Sequence, residues 1–185
     1  DHPDGARGVG ERGIEMWRRQ RGAAWGLDRG DKRNRALSTT DSYTGTGSGV
    51  RAYIIDTGIH ASHTQFTGRV GTGTDKVDND NNPADCNGHG THVAGIVANS
   101  TYEPQTGTYL GLAPAVNLVA VRALNADGSG TYADVLRGIQ WVIDNKDVYN
   151  IRVLNISMYA QSLAPYWADP FCLATMAAWN AGITV

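Results

Sequence analysis

Apolar residues fall into short blocks separated by glycine-rich polar stretches, and the spacing inside each block predicts an element. The run Tyr53-Ile54-Ile55 within residues 50–55 predicts a buried strand, entered through the flexible connection Thr44-Gly45-Thr46-Gly47-Ser48-Gly49. Val93, Ile96 and Val97, at i, i+3 and i+4, predict a helix that packs these three side chains inward. Leu118-Val119-Ala120-Val121, within residues 116–123, is short enough for a second buried strand. After Gly128-Ser129-Gly130, an amphipathic helix is predicted over Tyr132–Asp144, with Val135, Leu136, Ile139, Val142 and Ile143 inward. A strand over 151–156 follows. Asp169 as N-cap and Pro170 at the first helical position then open a helix that Gly182 closes. Phe171, Ala174, Thr175 and Ala178 form its inner face, and Ile183-Thr184-Val185 starts one more strand. Strand, helix, strand, helix, strand is the order of right-handed βαβ crossovers, so the fold class is α/β, a mostly parallel sheet flanked by helices.

Residues 1–24 do not share this patterning. They are rich in Gly and Arg with acids interspersed, which reads as a disordered tail, a linker or the remnant of a propeptide. The folded portion is assigned to residues 25–185. A chain of 185 residues with 41% hydrophobic and 18% charged residues and 23 glycines holds one loop-rich domain with a substantial core. Its net charge of −2 offers no electrostatic reason for a nucleic-acid or membrane partner. No apolar run reaches the roughly 18 residues that span a bilayer. Cys86 and Cys172 make no disulfide framework. Two free thiols, one or both buried, are expected.

Two stretches carry chemistry. In Asn87-Gly88-His89-Gly90-Thr91-His92-Val93-Ala94-Gly95 a histidine stands between glycines where a loop becomes a helix. The rigid element orients the imidazole, and the missing side chains leave it open on one side, as a general base requires. In Tyr53-Ile54-Ile55-Asp56-Thr57-Gly58 an apolar strand ends in a carboxylate, at the end of a strand where open α/β sheets build their sites.

Together these blocks resemble the subtilisin-like serine proteases, including the proteinase K and aqualysin-like branch. The resemblance implies a three-layer fold whose C-terminal part is missing here. It implies Asp56 as the orienting acid and His89 as the general base of an Asp-His-Ser triad, with His92 structural. His60 and His63 are expected to be surface residues near the Asp56 turn. The family's nucleophile sits in a G-T-S-M-A block and its oxyanion Asn after a later strand. Neither occurs here, so this piece alone is expected to be inactive although its parent is a serine endopeptidase. Some relatives pair a Cys before the His block with one in the Gly-Ser-Gly loop; Ala126 holds that place here, which leaves Cys86 without that partner.

The resemblance also implies a substrate groove. Ser129 and Gly130 match the edge whose backbone pairs with an extended peptide, and Asn155, Ser157 and Met158 match the wall of the primary pocket. Met158-Tyr159-Ala160 replaces the usual Leu-Gly-Gly, so Tyr159 is expected to narrow that pocket, with 161–169 as a neighbouring specificity loop. Structural Ca2+ is the one cofactor implied. Asp28 and Asp31 form one candidate site, and Asp78 and Asp80, with Asp75 and Asp85, another. Polypeptide substrates, a monomeric state and secretion are the remaining expectations from resemblance.

Three other readings compete. An aspartic protease also ends a strand in Asp-Thr-Gly but needs a second carboxylate, and one such block is present. A zinc enzyme would use Cys86, His89 and His92, spaced three apart and lacking the Glu of H-E-x-x-H. A non-catalytic fragment or interaction module would leave Asp56 and His89 as a relic.

Overall fold

The computed structural model describes residues 45–104, 108–160 and 164–185, with residues 27 and 30 and the strands Arg18–Arg21 and Thr40–Tyr43. Four parallel strands form the central sheet: β1 (Arg51–Asp56), β2 (Val70–Asp75), β3 (Asn117–Arg122) and β4 (Val153–Ile156). Their order is β2-β3-β1-β4, with Tyr53 opposite Val119 on one side and Leu154 on the other. Among the described residues three α-helices flank it: α1 (His89–Ala98), α2 (Tyr132–Asp144) and α3 (Pro170–Asn180).

Alternate side chains of β1 and β3 go to opposite faces, so each strand feeds two cores. On one face Ala52, Ile54, Leu118 and Ala120 pack with Val93, Ala94 and Ala98 of α1 and with Phe66. On the other, Tyr53, Ile55, Val119 and Val121 pack with Val135, Ile139 and Val142 of α2 and Ala178 of α3. Strands covered on both faces read as unbroken apolar runs, which is why these two were legible as buried. The chain leaves α1 on one face and returns with α2 on the other, and the crossover lies over β1 and β3. Ligands of open α/β sheets bind at such a switch point, beside the carboxyl ends of the strands.

The helices follow local signals. Thr131 caps α2 by accepting from the Asp134 amide, and Asp169 caps α3 by accepting from the amides of Phe171 and Cys172. Gly182 closes α3 with φ of 84°. The Arg69 guanidinium ties down the far end of α1, donating to the carbonyls of Ala98 (2.6 Å), Gln65 (2.7 Å) and Val116 (2.7 Å).

Several expectations need correction. Ile96 is 59% exposed; the inward face of α1 is Gly90, Val93, Ala94 and Ala98, small residues that let the helix lie close to the sheet. Strand β2 was not anticipated, because Val70-Gly71-Thr72-Gly73-Thr74-Asp75 shows no apolar alternation. Only Thr184 of the last segment pairs, through a single parallel bridge to Val153. Arg18–Arg21, read with the tail, pairs antiparallel with Thr40–Tyr43. Both cysteines are free, as expected, yet neither is buried: Cys86 is exposed and Cys172 half-buried.

The acidic loop after β2 is fastened from within. Asp75, 1% exposed, accepts from Arg122 Nη1 at 2.5 Å, and the same nitrogen reaches Asp78 at 2.7 Å. Removing the cation leaves a buried carboxylate short of a partner, so Arg122→Met is expected to destabilise the protein by about 3 kcal/mol. Urea unfolding measures it, and a loss below about 1 kcal/mol would show that the pair contributes little.

Candidate active site

Asp56 ends β1 with no exposure to solvent. Its carbonyl accepts from the amides of Ala123 (2.9 Å) and Leu124 (3.3 Å), which locks the strand end to the chain leaving β3. Carboxylate oxygen Oδ1 accepts from the Thr57 amide at 2.7 Å and lies 2.8 Å from His89 Nδ1. A carboxylate only accepts, so Nδ1 carries the hydrogen. Asp56 is the single hydrogen-bond partner of the imidazole among the described residues, which leaves Nε2 free on a side chain that is 48% exposed. Asp56 Oδ2 is buried without a partner among those residues.

The close approach of the two elements depends on glycine. Gly88 precedes α1 with φ of 104°, a left-handed conformation that side chains disfavour. Gly90 lies against the Asp56 turn. A β-carbon there would collide with the Gly58 carbonyl oxygen and stand 3.1 Å from the Asp56 Cβ.

A second carboxylate, Asp85, gathers the same two elements. It accepts from the Thr57 hydroxyl (2.9 Å), the amides of Asn87 (2.9 Å), Gly88 (2.8 Å) and Thr91 (2.9 Å), and the Thr91 hydroxyl. Burial raises its pKa, but the hydrogen bonds from Gly88, Thr91 and Asn87 outweigh that and bring it down to about 2.

His89 opens on a cleft of about 620 Å³. Ser129, Gly130, Ser157 and Met158 line it, together with Tyr159 and Asp127. Asn155 does not reach it; it lines a shallower groove along β4 and donates to Ser157 Oγ at 2.8 Å. Tyr159 is 97% exposed, on the rim. Neither the Gly130 amide nor its carbonyl is hydrogen-bonded among the described residues, so an edge of backbone faces the cleft. Asn87 Nδ2 donates to the Ala126 carbonyl at 2.8 Å and joins the histidine loop to this wall.

His60 and His63 lie on the surface turn after Asp56: His60 meets Ser62 Oγ at 3.1 Å, and His63 accepts from the Gln65 amide. His92 is exposed. No three carboxylates, imidazoles or thiols converge as metal ligands among the described residues. Asp78 faces Arg122, Asp80 accepts from the Asn82 amide, and Asp85 is saturated by the site's own donors. Asp28 and Asp31 lie outside the described residues, as do positions 161–163 of the expected specificity loop. Sequence reasoning missed Thr57 and Thr91 and offered Asp85 only as a candidate calcium ligand, not as an acceptor for the start of α1.

The site so built is a buried carboxylate on an imidazole, at the carboxyl end of a parallel sheet. Residues 47–178 match the Subtilase family, and the chain belongs to that family. It is 43% identical over 163 residues to an extracellular serine proteinase of a Thermus species, covering 88% of this chain and 36% of the relative. An alkaline serine exoprotease A of Vibrio alginolyticus is 48% identical over 126 residues, 68% of this chain and 22% of that protein. The crystal structure of a cold adapted subtilisin-like serine proteinase superposes with a TM-score of 0.69 at 40% identity, covering 88% of this chain and 54% of the other. The chain therefore spans about a third or less of these two relatives and about half of that solved structure.

Two outcomes test this geometry. Gly90→Ala, a change that favours most helices, is expected to destabilise by about 2 kcal/mol, because the methyl group forces α1 off the Asp56 turn. Thermal unfolding checks the sign. The depressed Asp85 pKa contributes stability that is present above its unfolded value of about 3.9 and lost as pH falls toward about 2. After discounting for solvent screening, Asp85→Asn should cost about 1–2 kcal/mol at neutral pH. The gap to the parent should narrow below about pH 4, which denaturant unfolding across pH reads directly.

Proposed function

We propose that this chain carries the acid and the base of a serine endopeptidase that hydrolyses peptide bonds in polypeptides. The observation that carries the reading is the 2.8 Å contact of His89 Nδ1 with buried Asp56, made by an imidazole whose other nitrogen is free beside an open cleft. A serine hydroxyl is almost wholly protonated at neutral pH and attacks a carbonyl only if a base takes its proton. In this reading His89 Nε2 accepts that proton as the Ser oxygen bonds to the substrate carbonyl carbon, then returns it to the departing amine. Asp56 holds the tautomer and stabilises the imidazolium between the two transfers. The Gly130 backbone and the Met158-Tyr159-Ala160 segment would hold an extended peptide between them.

Ser129 and Ser157 line the cleft, yet neither hydroxyl is hydrogen-bonded to His89 among the described residues. Ser129 Oγ donates instead to Asp127 at 2.7 Å, and Ser157 Oγ accepts from Asn155. Both belong to the groove, so the reading takes its nucleophile from outside the 185 residues and holds the isolated chain inactive. The name of the Thermus relative, an extracellular proteinase, supports export of this protein as well.

The test is to read the coding DNA beyond Val185 and assay the protein it encodes on a fluorogenic peptide. Turnover blocked by a serine-directed phosphonate is expected, with His89→Ala and Asp56→Ala each lowering kcat by about 10⁴ or more. Full turnover in either variant would remove the triad assignment. Hydrolysis by the purified 185-residue chain that the phosphonate abolishes would place the nucleophile inside it.

A further inference from the structure

We propose that Asp85 is the positioning residue of the acid–base pair: it ties the turn bearing Asp56 to the helix start bearing His89 and so sets their hydrogen bond. The inference rests on reading Asp56 and His89 as that pair. Asp85 touches neither the imidazole nor the cleft, so its action runs through its neighbours.

The two segments to be held lie 33 residues apart in the chain. Thr57, directly after Asp56, donates its hydroxyl to Asp85 Oδ1 at 2.9 Å, and the same hydroxyl oxygen accepts from the Gly90 amide at 3.0 Å. Oδ1 also accepts from the Gly88 amide, and Oδ2 from the amide and hydroxyl of Thr91. The residues on both sides of His89 are thereby fixed to the residue after Asp56 through one carboxylate and one hydroxyl. Thr91 Oγ1 extends the tie by accepting from the His60 amide at 2.9 Å, beyond the far end of the Asp56 turn.

Two physical reasons give the carboxylate this role. Gly88 offers no side chain to cap α1, so the helix's first amides need an acceptor from elsewhere. A negative charge at a helix start is favourable, and hydrogen bonds to a charged acceptor are about twice as strong as neutral ones. Asparagine at this position keeps the size but one oxygen only, and turns an NH2 toward groups that are themselves donors.

The test is proton NMR and amide exchange on the 185-residue chain and its Asp85→Asn and Thr57→Val variants. In the parent, the His89 Nδ1 proton held on Asp56 gives a resonance far downfield. In Asp85→Asn that signal is expected to be lost or moved upfield. Ile139 and Val142 should lose only the protection that the fall in global stability takes from them, and the Gly90 and Thr91 amides should exchange at least about tenfold faster beyond that, the effect of one net hydrogen bond. Thr57→Val, which keeps the side-chain volume, should reproduce the loss, and the double variant should be little worse than Asp85→Asn alone. An unchanged Nδ1 resonance in both single variants would overturn the proposal. So would protection lost equally at Ile139 and Val142, which makes Asp85 a general support of the fold. None of these readouts needs turnover, so absence of hydrolysis by the longer encoded protein would sink the proposed function and leave this result standing.

Discussion

A carboxylate with no solvent exposure at the end of a strand buried on both faces is the constraint that the rest of the site satisfies. Leaving Asp56 unpaired there would cost several kcal/mol, so the surroundings must bring donors to it. One is the next amide in the chain; the other is an imidazole from a helix that must come close. Each feature nearby answers that demand: a glycine where the helix touches the strand turn, alanines along the helix's inner face, and an arginine that ties down its far end.

The sheet order adds direction to this. Because α1 covers one face and α2 the other, the carboxyl ends of β1 and β3 lie between the two layers. The cleft occupies that gap, and its walls come from the chain just after β3 and β4. Cleft-facing groups thus emerge from the same end of neighbouring parallel strands, which aligns them without any long-range device.

How much of this the chain displays in advance depends on the range of the interaction. Helix α2 was legible to its last residue because Val135, Ile139 and Val142 keep one period and Thr131 caps it. Strand β2 was hidden, since its place comes from pairing with β3 and not from its own glycine-rich composition. Ile96 misled because a helix lying close to a sheet turns its small residues inward, against the rule that the larger apolar residue is buried. The Asp56–His89 pair was legible through the two motifs and the family they resemble; no periodicity links positions 33 apart. Asp85 escaped because its partner Thr57 lies 28 residues away and an acidic loop suggests a cation first.

Tyr159 stands almost wholly in solvent on the cleft rim, whereas Asp56 sits in the sheet with none of its surface in contact with water. The two ends of the site therefore answer to different pressures. A replacement at the rim disturbs few neighbours and leaves the core's packing intact, while a replacement at the strand end is felt by both layers. The rim is free to drift in such a protein without any disturbance of the buried pair. Closely similar chains are then to be told apart at the rim and not at the buried pair.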